Sequence, residues 1–366
     1  TYPILTRDLA RFEKMNFHGI VLDEAQAIKN YTTKLAQAAR SLKAGHKFCL
    51  TGTPIQNHLG ELWSQFQFLL PGLLSDYHTF KQVFRDPIEK LSDDAARQLL
   101  AARVKPFIVR RTKQEVASEL PEKTIVIQNV ELEGAQRDLY ETVRLASTKR
   151  VRDEIKKKGF KYSQIMILDA LLKLRQACCH PRLVKLEEAS KAKVSAKLVA
   201  LIEMLGQLCR EGRKILVFSQ FTSMLDLIAA ALDKEGLEYV SLRGDTRDRV
   251  TPVKEFQQGD VPIFLISLKA GGTGLNLTAA DTVIHYDPWW NPAVEEQATD
   301  RAHRIGQDKK VFVYKLIAKG TIEERMIDLQ NEKRKLAGSI YDSDGNLGMS
   351  FTQKDLDVLL MPISSD

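Results

Sequence analysis

The chain has 366 residues, of which 44% are hydrophobic and 28% are charged. That length and balance predict two or three ordinary globular domains, and they exclude a fibrous or an intrinsically disordered protein. Lys and Arg outnumber Asp and Glu by 54 to 47, which gives a formal net charge of +7. A surplus this small is compatible with a polyanionic partner and equally with a basic enzyme, so charge alone selects neither.

The cysteine content and the hydropathy of the sequence indicate the cellular compartment of the protein. The four cysteines lack the paired spacing of a zinc site, and so few in a long chain predict buried or inert thiols in a reducing compartment. No apolar run approaches the roughly 18 residues needed to cross a bilayer. The sequence contains neither a signal peptide nor an initiator Met. We therefore expect an intracellular protein with no membrane partner, and a sequence that is part of a longer protein.

The first segment alternates short strands with helices. Phe17–Leu22 is an apolar run that ends abruptly at Asp23 and Glu24, which predicts a buried parallel strand with carboxylates at its carboxyl end. His46–Leu50 predicts a second strand, which ends in the polar turn Thr51–Pro54. Ligands of open α/β sheets bind beyond the carboxyl ends of the strands, which is where both polar clusters fall.

Between Leu59 and Pro181, long helical patterns replace this alternation. The predicted helices are Leu59–Leu70, Asp93–Val104, Gln136–Lys158 and Ser163–Cys178. Only Lys123–Leu132 interrupts them with strand-like residues. This part of the chain is therefore predicted to be a helical insertion or linker region.

Regular alternation returns at Ser195, and repeated β-α units of this kind predict a doubly wound parallel sheet. The predicted strands are Lys214–Phe218, Tyr239–Leu242, Ile263–Ser267, Thr282–Tyr286 and Val311–Leu316. The predicted helices are Ala196–Glu211, Met224–Lys234, Val250–Gln257, Pro292–Arg304 and Ile322–Leu336. Thr352 and Asp355 have the spacing of a helix-capping box. The predicted organisation is a first lobe (1–70), a helical region (71–190), a second lobe (191–337) and a tail (338–366).

Two features carry charge suited to nucleotide chemistry. One carboxylate of the pair Asp23 and Glu24 can hold Mg²⁺, usually through water, while the other orients or deprotonates an attacking water. Arg301 and Arg304 lie three residues apart in a segment with helical character, which predicts two guanidiniums on one helix face. Two such cations aimed the same way suit a polyphosphate. Taken singly, an acidic pair after a strand is more typical of a solvated loop.

Two loops allow both a functional and a structural interpretation. Thr51–Pro54 has hydroxyls that could sense phosphate or the nearby carboxylates, or it could be an ordinary strand-to-helix turn. The glycine-rich Lys269–Gly274 could cradle a phosphate of a nucleotide or of a nucleic acid on its backbone N–H groups, or it could be a plain turn. It is not a Walker A loop, because no Lys-Ser or Lys-Thr follows its last glycine.

Taken together, these residues resemble the Swi/Snf family of ATP-dependent DNA translocases, in helicase superfamily two, over nearly the whole chain. The helicase motifs that carry the resemblance are Asp23–Asn30, Leu50–Asn57, Ile215–Phe221, Ile266–Leu277 and Gln297–Gln307. Further hallmarks are Asp287–Pro292 (D-P-W-W-N-P), Arg110-Arg111 and Leu174–Pro181 (L-R-Q-A-C-C-H-P). The resemblance implies an α/β fold with two RecA-like parallel-sheet lobes, the first one partial, and helical insertions between them. The acidic motif D-E-A-Q looks most like the bacterial and archaeal branch, which would place the protein in the cytoplasm with the nucleoid.

The resemblance also implies a role for each matching residue. Asp23 would coordinate Mg²⁺ through water and Glu24 would activate the attacking water. Arg301 and Arg304 would be arginine fingers for the γ-phosphate of ATP. The other nucleotide-binding residues would be Gln297, Gly272, Thr51 and Thr53. The residues in contact with the phosphates of double-stranded DNA would be Thr246, Ser267, Lys269 and Gly271. Trp289 and Trp290 are expected to pack between the lobes rather than to contact DNA.

One departure from the family pattern matters most. The family's Walker A loop, which cradles the β- and γ-phosphates, should precede Asp23, and no Gly-Lys pair occurs anywhere in this sequence. We therefore expect the 366-residue chain to hydrolyse no ATP by itself, although its full-length protein does. The alternatives are a non-catalytic DNA- or protein-binding module derived from a motor, and a strand-separating helicase. A protein bound to DNA is a possible cargo of the motor.

Overall fold

The computed structural model describes residues 1–52, 55, 58–91, 93–111, 113–117, 119–186, 189, 192, 194–271, 274–338 and 352–363. The chain divides into two compact units. Unit 1 is Thr1–Arg111 with Glu332–Phe351, and unit 2 is Thr112–Asn331 with Thr352–Asp366. Each unit has its own parallel sheet, as the α/β prediction requires. The bounds of the units differ from the four predicted ranges, because the region predicted to be a helical insertion is shared between both units.

Unit 1 is built on two parallel strands, β1 (Phe17–Leu22) and β2 (Ala44–Cys49). The hydrogen-bond ladder continues past the strands. The Leu50 N–H donates to the Leu22 carbonyl over 2.8 Å, and the Ala25 N–H donates to the Leu50 carbonyl over 2.9 Å. The residues that follow the two strands are thereby held side by side.

Seven α-helices lie in the described part of unit 1 before residue 112. They are α1 (Tyr2–Arg7), α2 (Leu9–Phe12), α3 (Lys34–Ser41), α4 (Gly60–Leu69), α5 (Tyr77–Phe80), α6 (Asp86–Leu91) and α7 (Asp94–Val104). The side chains of Thr33, Asp76 and Asp93 accept first-turn N–H groups and so begin α3, α5 and α7. Helix α4 connects the apolar clusters, because Phe66 packs among the other helices and Phe68 packs with the sheet.

The described part of unit 2 contains a six-stranded sheet in which every neighbouring pair is parallel. In spatial order the strands are β3 (Lys123–Val130), β8 (Val311–Ala318), β7 (Thr282–His285), β4 (Ile215–Ser219), β6 (Ile263–Ser267) and β5 (Tyr239–Leu242). The predicted second doubly wound lobe is thus confirmed. Strand β3, which we expected inside the helical region, is an edge strand of this sheet, because its backbone pairs with β8 along its whole length.

Side chains of the central strands alternate between two apolar clusters, one on each face of the sheet. Ile215 and Val217 pack on one face, against helices α11 (Ala196–Arg210) and α12 (Thr222–Glu235). Leu216 and Phe218 pack on the other, against helices α13 (Val250–Gln258) and α15 (Pro292–Thr299). Every residue of β4 and β6 is buried. All-parallel sheets occur where both faces are covered in this way.

The other helices of unit 2 complete its outer layers. They are α8 (Lys113–Val116), α9 (Gly134–Lys158), α10 (Gln164–Cys179), α14 (Leu268–Gly271), α16 (Ile322–Gly338, which runs on past the end of the unit) and α17 (Gln353–Leu359). Helix α17 begins with the predicted capping box of Thr352 and Asp355. It is fastened to α9, since Arg144 donates to the Leu360 carbonyl over 3.1 Å. No helix in the described ranges is long and apolar enough to cross a membrane.

A buried ion pair joins α11 to the first turn of α16. The Lys197 Nζ lies 3.0 Å and 2.9 Å from the two carboxylate oxygens of Glu323, and both side chains are 0% exposed. Burial by itself lowers the pKa of the Lys197 ammonium, but Glu323 together with Cys179 and Asp287 acts in the opposite direction, and the net shift is upward. The Ala318 N–H also donates to Glu323 over 2.9 Å. Burial raises the pKa of the Glu323 carboxyl, an effect that Lys197 opposes. The pair is well coordinated by these hydrogen bonds, and it holds the helices together rather than forming part of a predicted site.

Candidate functional site

The predicted acidic pair lies at the carboxyl end of β1. Glu24 has φ 50° and ψ 51°, a left-handed conformation that residues other than glycine rarely adopt. Hydrogen bonds hold this turn. The Glu24 N–H donates to Asp23 Oδ1 over 2.9 Å, and the Tyr2 hydroxyl donates to the Asp23 carbonyl over 2.6 Å. Backbone strain that is held in place by its surroundings is typical of functional sites.

The side chain of Gln26 connects the acidic pair to the polar turn after β2. Its Nε2 donates to Glu24 Oε2 over 2.5 Å, and its Oε1 accepts the Thr51 hydroxyl over 2.8 Å. Because an amide has its donor and acceptor on different atoms, these two bonds fix which way the amide faces. The structure thus brings Glu24 and Thr51, predicted from separate motifs, to one edge of the sheet. Thr53 lies outside the described residues.

Tyr2 is a residue of this site that the sequence reasoning missed. Burial, with smaller contributions from Cys49, Asp23 and Glu24, raises the pKa of Tyr2 to about 12. The hydroxyl therefore keeps its proton and remains a donor to the acidic turn at neutral pH. Burial also raises the pKa of the Cys49 thiol to about 12, so this cysteine is not a nucleophile. No sequence motif marks Tyr2, because its role depends on how α1 packs.

Asp23 suits the predicted magnesium ion. Its side chain is exposed at the strand end, and the Glu24 N–H orients its carboxylate. Within the described ranges, no group of three or more His, Cys, Asp or Glu side chains could hold a metal. A magnesium ion at Asp23 would therefore take most of its oxygen ligands from water and phosphate, which is how Mg²⁺ is commonly bound.

In unit 2, the predicted phosphate-binding loop follows β6. Ser267 is 3% exposed, and its Oγ accepts the Ala270 N–H over 3.4 Å, which begins the short helix α14. Lys269 is exposed on that helix. Gly271 is buried, and a Cβ on it would lie 2.6 Å from Cε1 of Phe218, so no larger residue fits. Lys269 therefore presents its charge to solvent, whereas Ser267 and Gly271 shape the loop. Gly272 lies outside the described residues.

The two arginines do not share a helix face. Helix α15 ends at Thr299, and residues 300–306 form turns in which Arg301 is buried and Arg304 is exposed. The N–H groups of Arg301 and His303 still donate to the carbonyls of Ala298 and Thr299, but tertiary hydrogen bonds occupy the Arg301 carbonyl and side chain. The Leu277 N–H donates to the Arg301 carbonyl over 2.9 Å, and Arg301 Nε donates to the Gly271 carbonyl over 3.0 Å. The predicted extension of the helix to Arg304 is therefore wrong, and so is the prediction that the two guanidiniums share one helix face.

Gln307 anchors the other end of this turn. Its Nε2 lies 3.1, 2.7 and 3.0 Å from the carbonyl oxygens of Thr278, Ala280 and Ala302. The sequence placed Gln307 in a motif, but this structural role was missed. Gln297, which we predicted to bind nucleotide, lies on α15 and is partly buried.

Thr246 follows β5, the neighbour of β6. Its Oγ1 accepts the Arg243 N–H over 2.9 Å, and its own N–H donates to the Arg243 carbonyl over 3.3 Å. These reciprocal bonds form a tight turn. Thr246 follows β5 and Ser267 is the last residue of the neighbouring parallel strand β6, so both lie at the carboxyl edge of the sheet of unit 2.

The tryptophan-containing segment D-P-W-W-N-P is fastened inside unit 2 by Asp287 and Arg175. The buried Asp287 accepts the Ser219 hydroxyl over 2.5 Å. Burial raises the pKa of Asp287, and the Arg175 guanidinium acts in the opposite direction. Arg175 also donates to the Pro288 carbonyl over 2.5 Å and lies 5.6 Å from the Trp289 ring. Trp289 packs on the apolar cluster around Phe218. The role of Arg175 was not predicted.

Two family profiles cover most of the chain in sequence order. The profile of the SNF2-related domain matches residues 1–183, and that of the helicase conserved C-terminal domain matches residues 196–306. This pair of domains, together with a site at the carboxyl ends of parallel strands, defines a helicase-type α/β protein.

Curated relatives from bacteria and from humans agree. The chain is 40% identical to an uncharacterized ATP-dependent helicase of Mycoplasma pneumoniae, over 97% of this chain and 34% of that protein. It is 39% identical to the putative ATP-dependent helicase/translocase YwqA of Bacillus subtilis, over 97% of this chain and 39% of that protein. The human SWI/SNF-related matrix-associated actin-dependent regulator of chromatin subfamily A member 1 is 36% identical, over 95% of this chain and 34% of that protein. The chain thus spans only a third or so of the length of these relatives.

Solved structures give the same result. The Sulfolobus solfataricus SWI2/SNF2 ATPase core in complex with double-stranded DNA is 37% identical, with a TM-score of 0.55, over all of this chain and 77% of that chain. A structure of the S. solfataricus ATPase core domain gives 36% identity and the same TM-score, over 75% of that chain. The chain belongs to the Swi/Snf family. The predicted fold class of RecA-like α/β lobes is confirmed.

Proposed function

We propose that this chain is part of an ATP-hydrolysing motor that moves along double-stranded DNA. The observation that carries the proposal is the hydrogen-bonded series from Glu24 through Gln26 to Thr51. It joins an acid at the end of one strand to a hydroxyl at the end of the next. Ligands of α/β sheets bind at this edge, and an oriented carboxylate there suits the activation of water for phosphate hydrolysis.

In unit 1, Glu24 accepts the proton of the attacking water. Asp23 would hold Mg²⁺ through water, and a bound ion there would supply positive charge to the phosphates. Thr51, together with Thr53, responds to the nucleotide state, because any movement of Thr51 reaches Glu24 through the amide of Gln26. The Tyr2 hydroxyl keeps the turn in its left-handed conformation.

In unit 2, the two arginines have different tasks. Arg304 is exposed and supplies positive charge to the γ-phosphate, an effect worth on the order of 10³–10⁵ in rate in other NTPases. Arg301 supports it by fastening the turn to the carbonyl of Gly271. Gln297 and Gly272 complete the proposed nucleotide contacts.

The proposed DNA contacts go to phosphates rather than to bases. Lys269 contributes charge and Thr246 lies in a partly exposed turn, while the buried Ser267 and Gly271 lie on either side of Lys269 and shape the segment that carries it. Binding should therefore tolerate any sequence and weaken with salt, with a slope of about −0.9 per neutralised phosphate. A protein bound to DNA is the proposed cargo. The proposed location is the DNA-containing compartment, which is the cytoplasm with its nucleoid in a bacterium or an archaeon.

The test compares DNA-stimulated ATP hydrolysis by the full-length protein and by the 366-residue chain. In the full-length protein, Glu24→Gln should lower kcat by about 10²–10⁴-fold, the range for a lost general base. Glu13→Gln, which changes an exposed acid of the same unit, is the matched control and should leave kcat unchanged. The chain alone should hydrolyse no ATP, since it contains no G-x-x-x-x-G-K-[ST] loop to hold the β- and γ-phosphates.

Each outcome separates the alternatives. Hydrolysis by the chain alone that is abolished by Glu24→Gln would overturn the expectation for the chain. A full-length protein that binds DNA without hydrolysing ATP would be a non-catalytic module. Displacement of one strand of a DNA duplex would identify a strand-separating helicase, and an affinity for DNA independent of salt would contradict phosphate-dominated binding.

A further inference from the structure

The turn that carries the two arginines is held from two sides. On one side are groups that are close to the turn in the sequence. The Gly271 carbonyl accepts from the Arg301 side chain, the Leu277 N–H donates to the Arg301 carbonyl, and the amide of Gln307 donates to nearby carbonyls. These contacts fix Arg301 and the end of the turn. Within the turn, the His303 N–H donates to the Thr299 carbonyl over 3.1 Å and the Gln307 N–H donates to the Arg304 carbonyl over 2.9 Å. The Asp300 carboxylate and the His303 carbonyl are contacted by a more distant segment.

On the other side is a segment nearly two hundred positions earlier in the sequence. Lys113 Nζ lies 2.6 Å from Asp300 Oδ1 and donates to the His303 carbonyl over 2.9 Å. The ring of His303 lies with its Nε2 2.8 Å from the Pro121 carbonyl. One ammonium thus bridges residues 300 and 303, which immediately precede Arg301 and Arg304. An ammonium has three protons, so both bonds can form at once.

The position of Lys113 in the chain adds to its importance. Unit 1 ends at Arg111 and unit 2 begins at Thr112, so Lys113 is the second residue of unit 2 after this crossing. The polypeptide that leaves unit 1 is therefore attached at once to the arginine-bearing turn of unit 2. A force transmitted along the chain at this crossing would reach that turn through Lys113 without passing through the core of the sheet.

We propose that Lys113 is a positioning residue for Arg304, and that it couples the segment leaving unit 1 to the arginine-bearing turn. The proposal rests on the proposed ATPase function. The side chains of Lys113 and Asp300 are 44% and 33% exposed, and exposed ion pairs contribute little to stability. The rate of catalysis depends much more strongly on the geometry of the turn, since a displacement of about 1 Å at a catalytic group can lower a rate about 10²-fold.

The experiment uses the full-length protein with Lys113→Ala, Lys113→Arg and, as the matched control, Lys310→Ala. Lys310 also forms an exposed ion pair with this segment, 3.4 Å from Glu122, and its side-chain hydrogen bond among the described residues goes to Glu122 rather than to the turn. For Lys113→Ala we expect kcat to fall at least about tenfold, while KM for ATP changes less than about twofold and Tm by less than about 2 °C. Lys113→Arg should recover most of kcat, because a guanidinium can donate to both oxygens. Lys310→Ala should resemble the wild type.

Hydrogen exchange measured by mass spectrometry reports how readily the turn opens, whether or not ATP is hydrolysed. Backbone amides of residues 300–307 should exchange at least about threefold faster in Lys113→Ala than in the wild type or Lys310→Ala, because a local bond that resists opening is gone. Unchanged exchange and unchanged kcat in Lys113→Ala would overturn the inference. A wild-type protein without ATPase activity would instead overturn the proposed function, and with it any role of Lys113 in catalysis, even if exchange responded.

Discussion

The two parallel sheets of this protein bury their side chains to very different extents. In unit 2, every residue of β4 and β6 is buried, and apolar clusters cover both faces. In unit 1, Val21 of β1 is 58% exposed and Phe48 of β2 is 55% exposed. Since parallel strands are normally covered on both faces, we infer that unit 2 has a self-sufficient core and that the sheet of unit 1 depends on further structure over Val21 and Phe48.

The same contrast extends to how each unit holds its functional groups. In unit 1, hydrogen bonds from the partly buried side chains of Tyr2 and Gln26 fix the acidic turn. In unit 2, the buried side chains of Arg301 and Gln307 fix the arginine-bearing turn. A single substitution in the first set should change chemistry more than stability. A substitution among the buried polar groups of unit 2 should first change stability.

The buried ion pair provides the largest expected effect on unit 2. Lys197→Met leaves the carboxylate of Glu323 buried without its partner, which should lower the free energy of unfolding by about 3–5 kcal/mol. Urea unfolding followed by the fluorescence of Trp289 and Trp290, in a Trp63→Phe background, measures unit 2 alone. The double variant Lys197→Met/Glu323→Leu removes both charges and should recover much of the loss. A loss below about 1 kcal/mol in the single variant would contradict a tightly packed charged core.

Acid should weaken unit 2 through His285. Burial lowers the pKa of His285 to about 4, with Glu295 and Lys315 acting in opposite directions. In the unfolded chain the imidazole takes up its proton near pH 6.5. The free energy of unfolding should therefore fall as pH decreases from about 6.5 to about 4, by up to about 3 kcal/mol from this residue. His285→Gln should remove that part of the pH dependence, and identical pH profiles for the two proteins would refute the assignment.

The smallest expected change in stability is the most direct test of the difference in burial between the two sheets. Val217→Ala, in the buried strand β4, should destabilise the 366-residue chain by about 2 kcal/mol. Val21→Ala, on the exposed face of β1, should change stability by less than about 0.5 kcal/mol. Urea unfolding with Trp63 as the reporter of unit 1 measures the second variant. If Val21→Ala becomes as destabilising as Val217→Ala in the full-length protein, that face is covered there. Equal effects in the 366-residue chain would remove the contrast between the sheets.

The strands and helices of unit 2 were predictable because the hydrophobic pattern within each segment matches the burial of that segment in the folded unit. Ile263–Ser267 is a short apolar run, and it forms a strand with the predicted bounds because both of its faces are buried. The sequence also predicts a strand at Lys123, but not that its partner is β8. Pairing between distant segments leaves no signal in either segment alone.

For the candidate site, the places of the residues relative to the strands were predictable, but their contacts with distant residues were not. Apolar runs that stop at polar residues predict strand ends just before Asp23, Glu24 and Thr51. The donors Tyr2 and Arg175 could not be found, because their hydrogen bonds depend on how helices α1 and α10 pack. The helix predicted to reach Arg304 fails because tertiary bonds to Arg301 are available, and local spacing cannot weigh those. The catalytic roles of these residues remain predictions.

The left-handed backbone at Glu24 bears on any attempt to engineer this protein. Glycine adopts that conformation without steric penalty, so the residue that the main chain favours at position 24 lacks a carboxylate. A library selected only for heat resistance would accumulate glycine at this position and lose the acid. With the role proposed for Glu24, thermal tolerance and ATP hydrolysis would diverge at position 24, and directed evolution of this protein would need to hold that codon constant.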